Sequence, residues 1–192
     1  MMDLYLMRHG QTFFNQVGLV QGACDSPLTE LGIEQARKAG EFFKDQQINF
    51  DAIYASTQER ACDTAEIVSQ RTDYKRLKGL KEWDFGLFEA QPEKLTPRFR
   101  EGANSFEDLF VPYGGEDVRA VGERMKVALT SIAEEESGTV LAVSHGGSMW
   151  AFLLVLGVDV DSTLRFGNCA ICHYRYENGS FRLVEVIDPL DN

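Results

Sequence analysis

With 192 residues, of which 44% are hydrophobic and 26% charged, the chain suits one soluble domain, and a chain this long buries about 70% of its unfolded surface without covalent staples. A net charge of -11, from 30 acidic against 19 basic residues, excludes general affinity for nucleic acid or an anionic membrane, because both require a positive face. A small anionic substrate stays open, since a compact basic pocket is governed by its nearest charges rather than by the sum.

The four cysteines, Cys24, Cys62, Cys169 and Cys172, show no disulfide-framework spacing. "MMDLYLMRHG" has no basic region leading into an apolar stretch of signal-peptide length, so reduced thiols in a cytoplasm are expected. The longest apolar run, around "MWAFLLVLGV", falls short of the roughly 18 residues of a membrane span and reads as a buried helix.

In chain order, "DLYLMR" reads as the first strand, and Gly10 to Pro27 as a long loop with room for one helical turn. Thr29 is an N-cap candidate for a helix reaching about Gln46, with Leu28, Leu31, Ala39 and Phe42 near helical spacing. "DAIYAS" reads as a second buried strand, followed from about Gln58 by a helix through "ERACDTAEIVSQR". "YKRLKGL" is a weaker third strand. Residues 83–114, with prolines, glycines and scattered aromatics, read as a cap or lid excursion.

Helical spacing returns through Val118, Val121, Met125, Leu129 and Ile132 and is expected to end at Gly138. "TVLAVS" is a continuous apolar strand, and a helix follows "HGG" from about Gly147 to Leu156. "CAICHYRYE" and "FRLVEVI" flank Asn178-Gly179, the strongest hairpin signal in the chain. Alternating strands and helices predict an α/β three-layer sandwich, with a mostly parallel central sheet flanked by helices and a C-terminal β-hairpin. Ligands of such sheets sit beyond the carboxyl ends of the strands.

Three apolar runs end in polar groups at that edge: "LYLM" in Arg8-His9-Gly10, "AIYAS" in the turn leading to Arg60, and "VLAVS" in His145-Gly146-Gly147. If the strands are central and parallel, the two imidazoles converge, and the glycines let backbone and ligand approach. Arginine beside histidine at a focus suits phosphate, because guanidinium binds its oxygens in bidentate fashion and histidine can act as a covalent nucleophile. Two neighbouring arginines favour the neutral, attacking imidazole.

"LMRHGQTFFN" and "VSHGG" resemble the two hallmark segments of the histidine phosphatase superfamily, which includes phosphoglycerate mutases and broad-specificity phosphatases. "DSPLTELGIEQA", "YASTQERACDTAEI", "LKEWDFGLFEA", "YGGEDVRAVGERM" and "NCAICHYRYENG" follow in the family's order, so the resemblance covers nearly the whole chain. It implies a phosphoglycerate mutase-like fold with His9 as nucleophile, Arg8 and Arg60 clamping phosphoryl oxygens, His145 donating to them, and Glu82 as proton donor. It also implies substrate contacts from Asn15, Gln21, Gly22 and Gly146 together with those groups. No metal or cofactor is needed for that scheme. The chain departs from many relatives in having Phe88-Glu89-Ala90 for Trp-Glu-Gly and Ser56-Thr57 for Ser-Pro, which bears on the pocket wall and not on the reacting groups.

Several features read as structural. Cys169 and Cys172, three apart, lack a second pair to complete a zinc site. His173 reads as a packing or surface residue. Met149, Trp150, Phe152 and Leu153 read as core, while Glu134-Glu135-Glu136 opposes its helix dipole without an evident reason. The expected function is a cytoplasmic phosphomonoester hydrolase working through phosphohistidine on a small phosphorylated metabolite, as a monomer or homodimer without nucleic acid or membrane partners. A cofactor-dependent phosphoglycerate mutase is the alternative, and a catalytically idle phospho-ligand binding module is the alternative of another class.

Overall fold

The even-numbered residues of the first strand face one core and the odd-numbered face another, which is how a strand covered on both sides must behave. The computed structural model describes residues 1–158 and 166–191. In it β1 spans Met2–Arg8, β2 Ala52–Ser56, β3 Lys75–Leu77, β4 Gly138–Ser144, β5 Ile171–Glu177 and β6 Ser180–Ile187. They form one sheet in the order β3-β2-β4-β1-β5-β6. The first four are parallel, β5 runs antiparallel to β1, and β6 pairs antiparallel with β5 as the second arm of the terminal hairpin.

The helices are α1 Phe13–Val17, α2 Glu30–Asp45, α3 Glu59–Ser69, α4 Val118–Glu135 and α5 Gly146–Val155. Leu4, Leu6, Val140, Ala142 and Cys172 pack under Met125, Leu129 and Ile132 of α4 and Met149, Phe152 and Leu153 of α5. On the opposite face Tyr5, Met7, Leu141 and Val143 pack against Ala36, Ala39 and Phe43 of α2 and Ala61, Cys62 and Ala65 of α3. The sheet lies between two helix layers, as the alternation of elements predicts.

Local signals decide most boundaries. Thr29 caps α2, accepting from the Gly32 N–H at 3.0 Å. The turn Asn178-Gly179 has positive φ at both positions, 54° and 75°, as a two-residue hairpin loop of type I′ requires. All five apolar positions expected on α4 are buried.

Two expectations move. The buried stripe of α2 is Gly32, Ala36, Ala39 and Phe43, whereas Leu31 is exposed. The reason is a close backbone crossing: a Cβ on Gly32 would lie 2.0 Å from Gln11 O, and one on Gly10 would lie 2.5 Å from Gly32 O. Gly138 does not close α4, which ends at Glu135 with Glu136 after it already extended; Gly138 is instead the first residue of β4. The acidic helix end also finds its reason, because Lys75 of β3 pairs with Glu135 and Glu136, and Tyr54 Oη donates to Glu136 at 2.6 Å.

The excursion after β3 carries short 3-10 turns at Gly86–Phe88, Glu93–Leu95 and Val111–Tyr113. Its aromatics anchor it: Trp83 and Phe110 are buried with Val118, Val121 and Ala151, and Phe85, Phe88 and Phe106 pack against them. A backbone ladder ties its first part to the loop after β1, through Val20 N–H to Gln91 O (2.9 Å), Ala90 N–H to Val20 O (2.8 Å) and Glu93 N–H to Gly18 O (2.9 Å). Among the described residues no helix is long and apolar enough to cross a membrane.

Candidate active site

Parallel pairing of β1 with β4 places Arg8 opposite Ser144. The residues that follow, His9 and His145, therefore leave the sheet side by side, with ring centroids 5.2 Å apart. The His9 N–H reaches across to Ser144 O at 3.1 Å. β2 lies on the other side of β4, so α3, which follows it, delivers Arg60 to the same point.

His9 Nδ1 lies 2.7 Å from Gly10 O. A carbonyl only accepts, so Nδ1 carries the hydrogen and Nε2 keeps its lone pair. Arg60 Nε donates toward that Nε2 at 3.3 Å. Burial, then Arg60 and then Arg8, hold His9 well below the ordinary histidine range near 6.5. His145 is held low by burial first, then by Arg60 and His9. Both rings are therefore neutral near pH 7, and His9 presents an unprotonated nitrogen.

Arg60 is almost fully buried, and most of its donors serve the loop in front of it. Nη1 donates to Cys24 O (2.8 Å) and Asp25 Oδ1 (2.9 Å), and Nη2 to Gly22 O (3.0 Å). Arg8 Nη1 donates to Phe166 O, while its Nε is buried without a hydrogen-bond partner among the described residues. The same holds for both ring nitrogens of His145. Each buried polar group left unpaired costs about 1–3 kcal/mol, so this cluster suits a ligand with several acceptor oxygens.

Glu82 lies at the N-terminus of α5. Its Oε1 accepts from Trp83 N–H and Ser148 N–H, both at 2.8 Å, and its Oε2 from Gly147 N–H at 3.1 Å. The first-turn N–H groups of the helix thus point at this side chain. Glycine leaves room for this approach, since a Cβ on Gly147 would lie 2.8 Å from Glu82 Oε1 and displace the carboxyl. Arg124 of α4 holds the Glu82 carbonyl at 2.8 Å and Glu116 at 2.9 Å.

Of the other expected contacts, Asn15 lends its Oδ1 to the Thr12 N–H at 3.2 Å in the capping box of α1. Gln21 Oε1 accepts from Ser26 Oγ at 3.0 Å, inside the loop. Gly22 meets Arg60 through its carbonyl, and Gly146 packs beside the Arg8 side chain. The reading of the sequence gave no site role to Gln58, Glu89, Ser148 and Asn168, and named Gly147 only as a strand-end glycine. Glu89 takes the Ala23 and Cys24 N–H groups at 2.6 and 2.8 Å, and Asn168 Nδ2 donates to His9 O at 3.2 Å. Two of them had a signal: Gly147 in the hallmark "VSHGG", and Glu89 in its register with the family's Trp-Glu-Gly.

The decoys stay structural. Cys169 and Cys172 are buried free thiols in opposite cores, each pushed up to about 12 chiefly by burial. His173 stacks on Tyr5 and pairs with Asp3 at 2.8 Å. Among the described residues no group of three or more His, Cys, Asp or Glu side chains is arranged to hold a metal ion.

Residues 4–189 match the histidine phosphatase superfamily (branch 1), and the chain belongs to that family. It is 36% identical over 190 residues to the probable phosphoglycerate mutase GpmB of Proteus mirabilis, covering 93% of this chain and 86% of that one. Its structure is similar to phosphoserine phosphatase from Entamoeba histolytica in complex with 3-phosphoglyceric acid, with TM-score 0.80, 29% identity and 98% of each chain covered. It is also similar to phosphoglycerate mutase from Bacillus anthracis, with TM-score 0.81, 28% identity and 95% and 91% covered. These findings support an enzyme with a phosphotransfer mechanism.

Proposed function

We propose that the protein is a phosphomonoester hydrolase acting through a phosphohistidine on a small phosphorylated metabolite. The observation that carries the reading is the state of His9: Nδ1 is tied to Gly10 O, and Nε2 is unprotonated beside two arginines.

In the first step His9 Nε2 bonds to phosphorus while the bond to the leaving oxygen breaks, and that oxygen takes the electron pair. Arg8, Arg60 and His145 stabilise charge on the equatorial oxygens, where phosphoryl transfer gains most. Glu82 gives the leaving oxygen a proton. Its Oε2, with one donor against three on Oε1 once the Ser148 hydroxyl at 3.2 Å is included, has the room to exchange it. In the second step Glu82 takes a proton from water, the water oxygen bonds to phosphorus, and the N–P electron pair returns to His9.

A phosphoglycerate mutase is the second reading, favoured by the Proteus mirabilis relative's name. It would need further cations for a second phosphate. Of the two arginines the excursion offers, Arg98 and Arg100, the second is paired with Glu107 at 2.8 Å and Asp108 at 2.6 Å. This supports hydrolysis.

The test is phosphate release from a panel headed by 3-phosphoglycerate and phosphoserine, with His9→Ala as control. His9→Ala is expected to lose turnover and the acid-labile phosphoenzyme. Turnover surviving in His9→Ala rejects the phosphohistidine mechanism, and conversion of 3- to 2-phosphoglycerate stimulated by bisphosphoglycerate rejects the hydrolase.

A further inference from the structure

Gln58 stands at the N-cap of α3 without capping it: its side chain makes no bond to the first turn. Asp25 Oδ2 takes the Glu59 N–H in its place, at 2.6 Å. The released side chain is buried and bridges two parts of the site. Its Oε1 accepts from the Glu82 N–H at 2.8 Å, and its Nε2 donates to Gly22 O at 2.7 Å, with Ala23 O and Cys24 O at 3.3 and 3.4 Å. The partners settle the amide orientation, since an N–H donates and a carbonyl accepts. Gly22 O is also a partner of Arg60. One side-chain amide thus joins the backbone of Glu82 to the loop that Arg60 grips.

We infer that Gln58 is a positioning residue that sets the Glu82 carboxyl at its working distance from the phosphoryl site, an inference that rests on Glu82 being the proton donor. Arg124 holds the carbonyl side of Glu82 from α4, and Gln58 holds its N–H side from α3. Without Gln58 a half-buried N–H loses its acceptor and the acid is held from one side only. The consequence depends on the leaving group. As the N–P bond forms and the P–O bond breaks, an alkoxide needs the Glu82 proton, whereas p-nitrophenolate departs with the electron pair and no proton.

The experiment compares kcat/KM for 3-phosphoglycerate and p-nitrophenyl phosphate in wild type, Gln58→Leu, Gln58→Glu and Glu82→Gln, with a thermal melt of each. Gln58→Leu is expected to lose about 10- to 100-fold on 3-phosphoglycerate and less than about 3-fold on p-nitrophenyl phosphate, the scale of a displaced general acid. Gln58→Glu keeps an acceptor for the Glu82 N–H but loses the donor to Gly22 O. It should preserve the wild-type ratio between substrates while KM rises for both. Equal losses on both substrates in Gln58→Leu, or no loss, overturn the inference. Glu82→Gln tests the foundation separately: equal losses there reject Glu82 as the acid, whereas selective loss there with equal loss in Gln58→Leu rejects Gln58 alone.

Discussion

His9 and His145 are neutral because a buried imidazole beside guanidinium groups is easier to leave unprotonated than to charge. In the unfolded chain both titrate near 6.5. Below that pH the unfolded state binds protons that the native state refuses, so stability falls as pH falls from about 6.5 toward the lower native values. Each histidine contributes about 1.4 kcal/mol per pH unit in that window. Chemical denaturation between pH 7.5 and 5 should show the loss, and His9→Gln should flatten it by one proton; an unchanged slope would contradict the neutral assignment. The Gly10–Gly32 crossing is the other residue-scale constraint. Gly32→Ala drives a Cβ into Gln11 O and should cost about 1–3 kcal/mol in urea titration, with a fall in kcat/KM because the crossing supports the turn behind His9.

At the scale of elements, the site depends on a loop held from both sides. The N–H groups of Ala23 and Cys24 go to Glu89 on the excursion, and the carbonyls of residues 22–24 go to Arg60 and Gln58 on and before α3. Glu89→Ala leaves those N–H groups, and that of Phe85 at 3.2 Å, without their acceptor. The expected results are a loss of about 2–3 kcal/mol, as for a hydrogen bond to a charged group, a raised KM, and faster proteolytic cleavage in the loop. Wild-type KM and cleavage rate would show that the loop does not need this clamp.

Across the whole molecule, a net charge of -11 surrounds a candidate site lined by Arg8, Arg60, His9 and His145. The excess acid keeps the surface from attracting polyanions, while the buried cations act on a small anion at short range. Vanadate or phosphate at 100 times its dissociation constant should stabilise the fold by about 2.7 kcal/mol, read as a rise in melting temperature. Arg60→Ala should abolish that rise and lower the melting temperature of the free protein, because the guanidinium also holds residues 22–25. A full vanadate response in Arg60→Ala would place the anion elsewhere.

Much of this was legible in the chain. The continuous apolar runs of β1 and β4, the Thr29 cap, the Asn178-Gly179 turn and the paired strand-end histidines follow from rules that act within a few residues, so the sequence alone determined most of the strands and helices and the candidate reacting groups. The tertiary structure decided what local rules cannot reach. Strand order placed β4 beside β1 and so put His9 next to His145. Backbone crossing, not hydrophobic periodicity, selected the buried face of α2. The roles of Gln58, Glu89 and Gly147 arise from partners 24 to 66 residues away. A hydrogen bond between distant segments is set by the packing of whole elements, and no local pattern of residues encodes which backbone group will arrive.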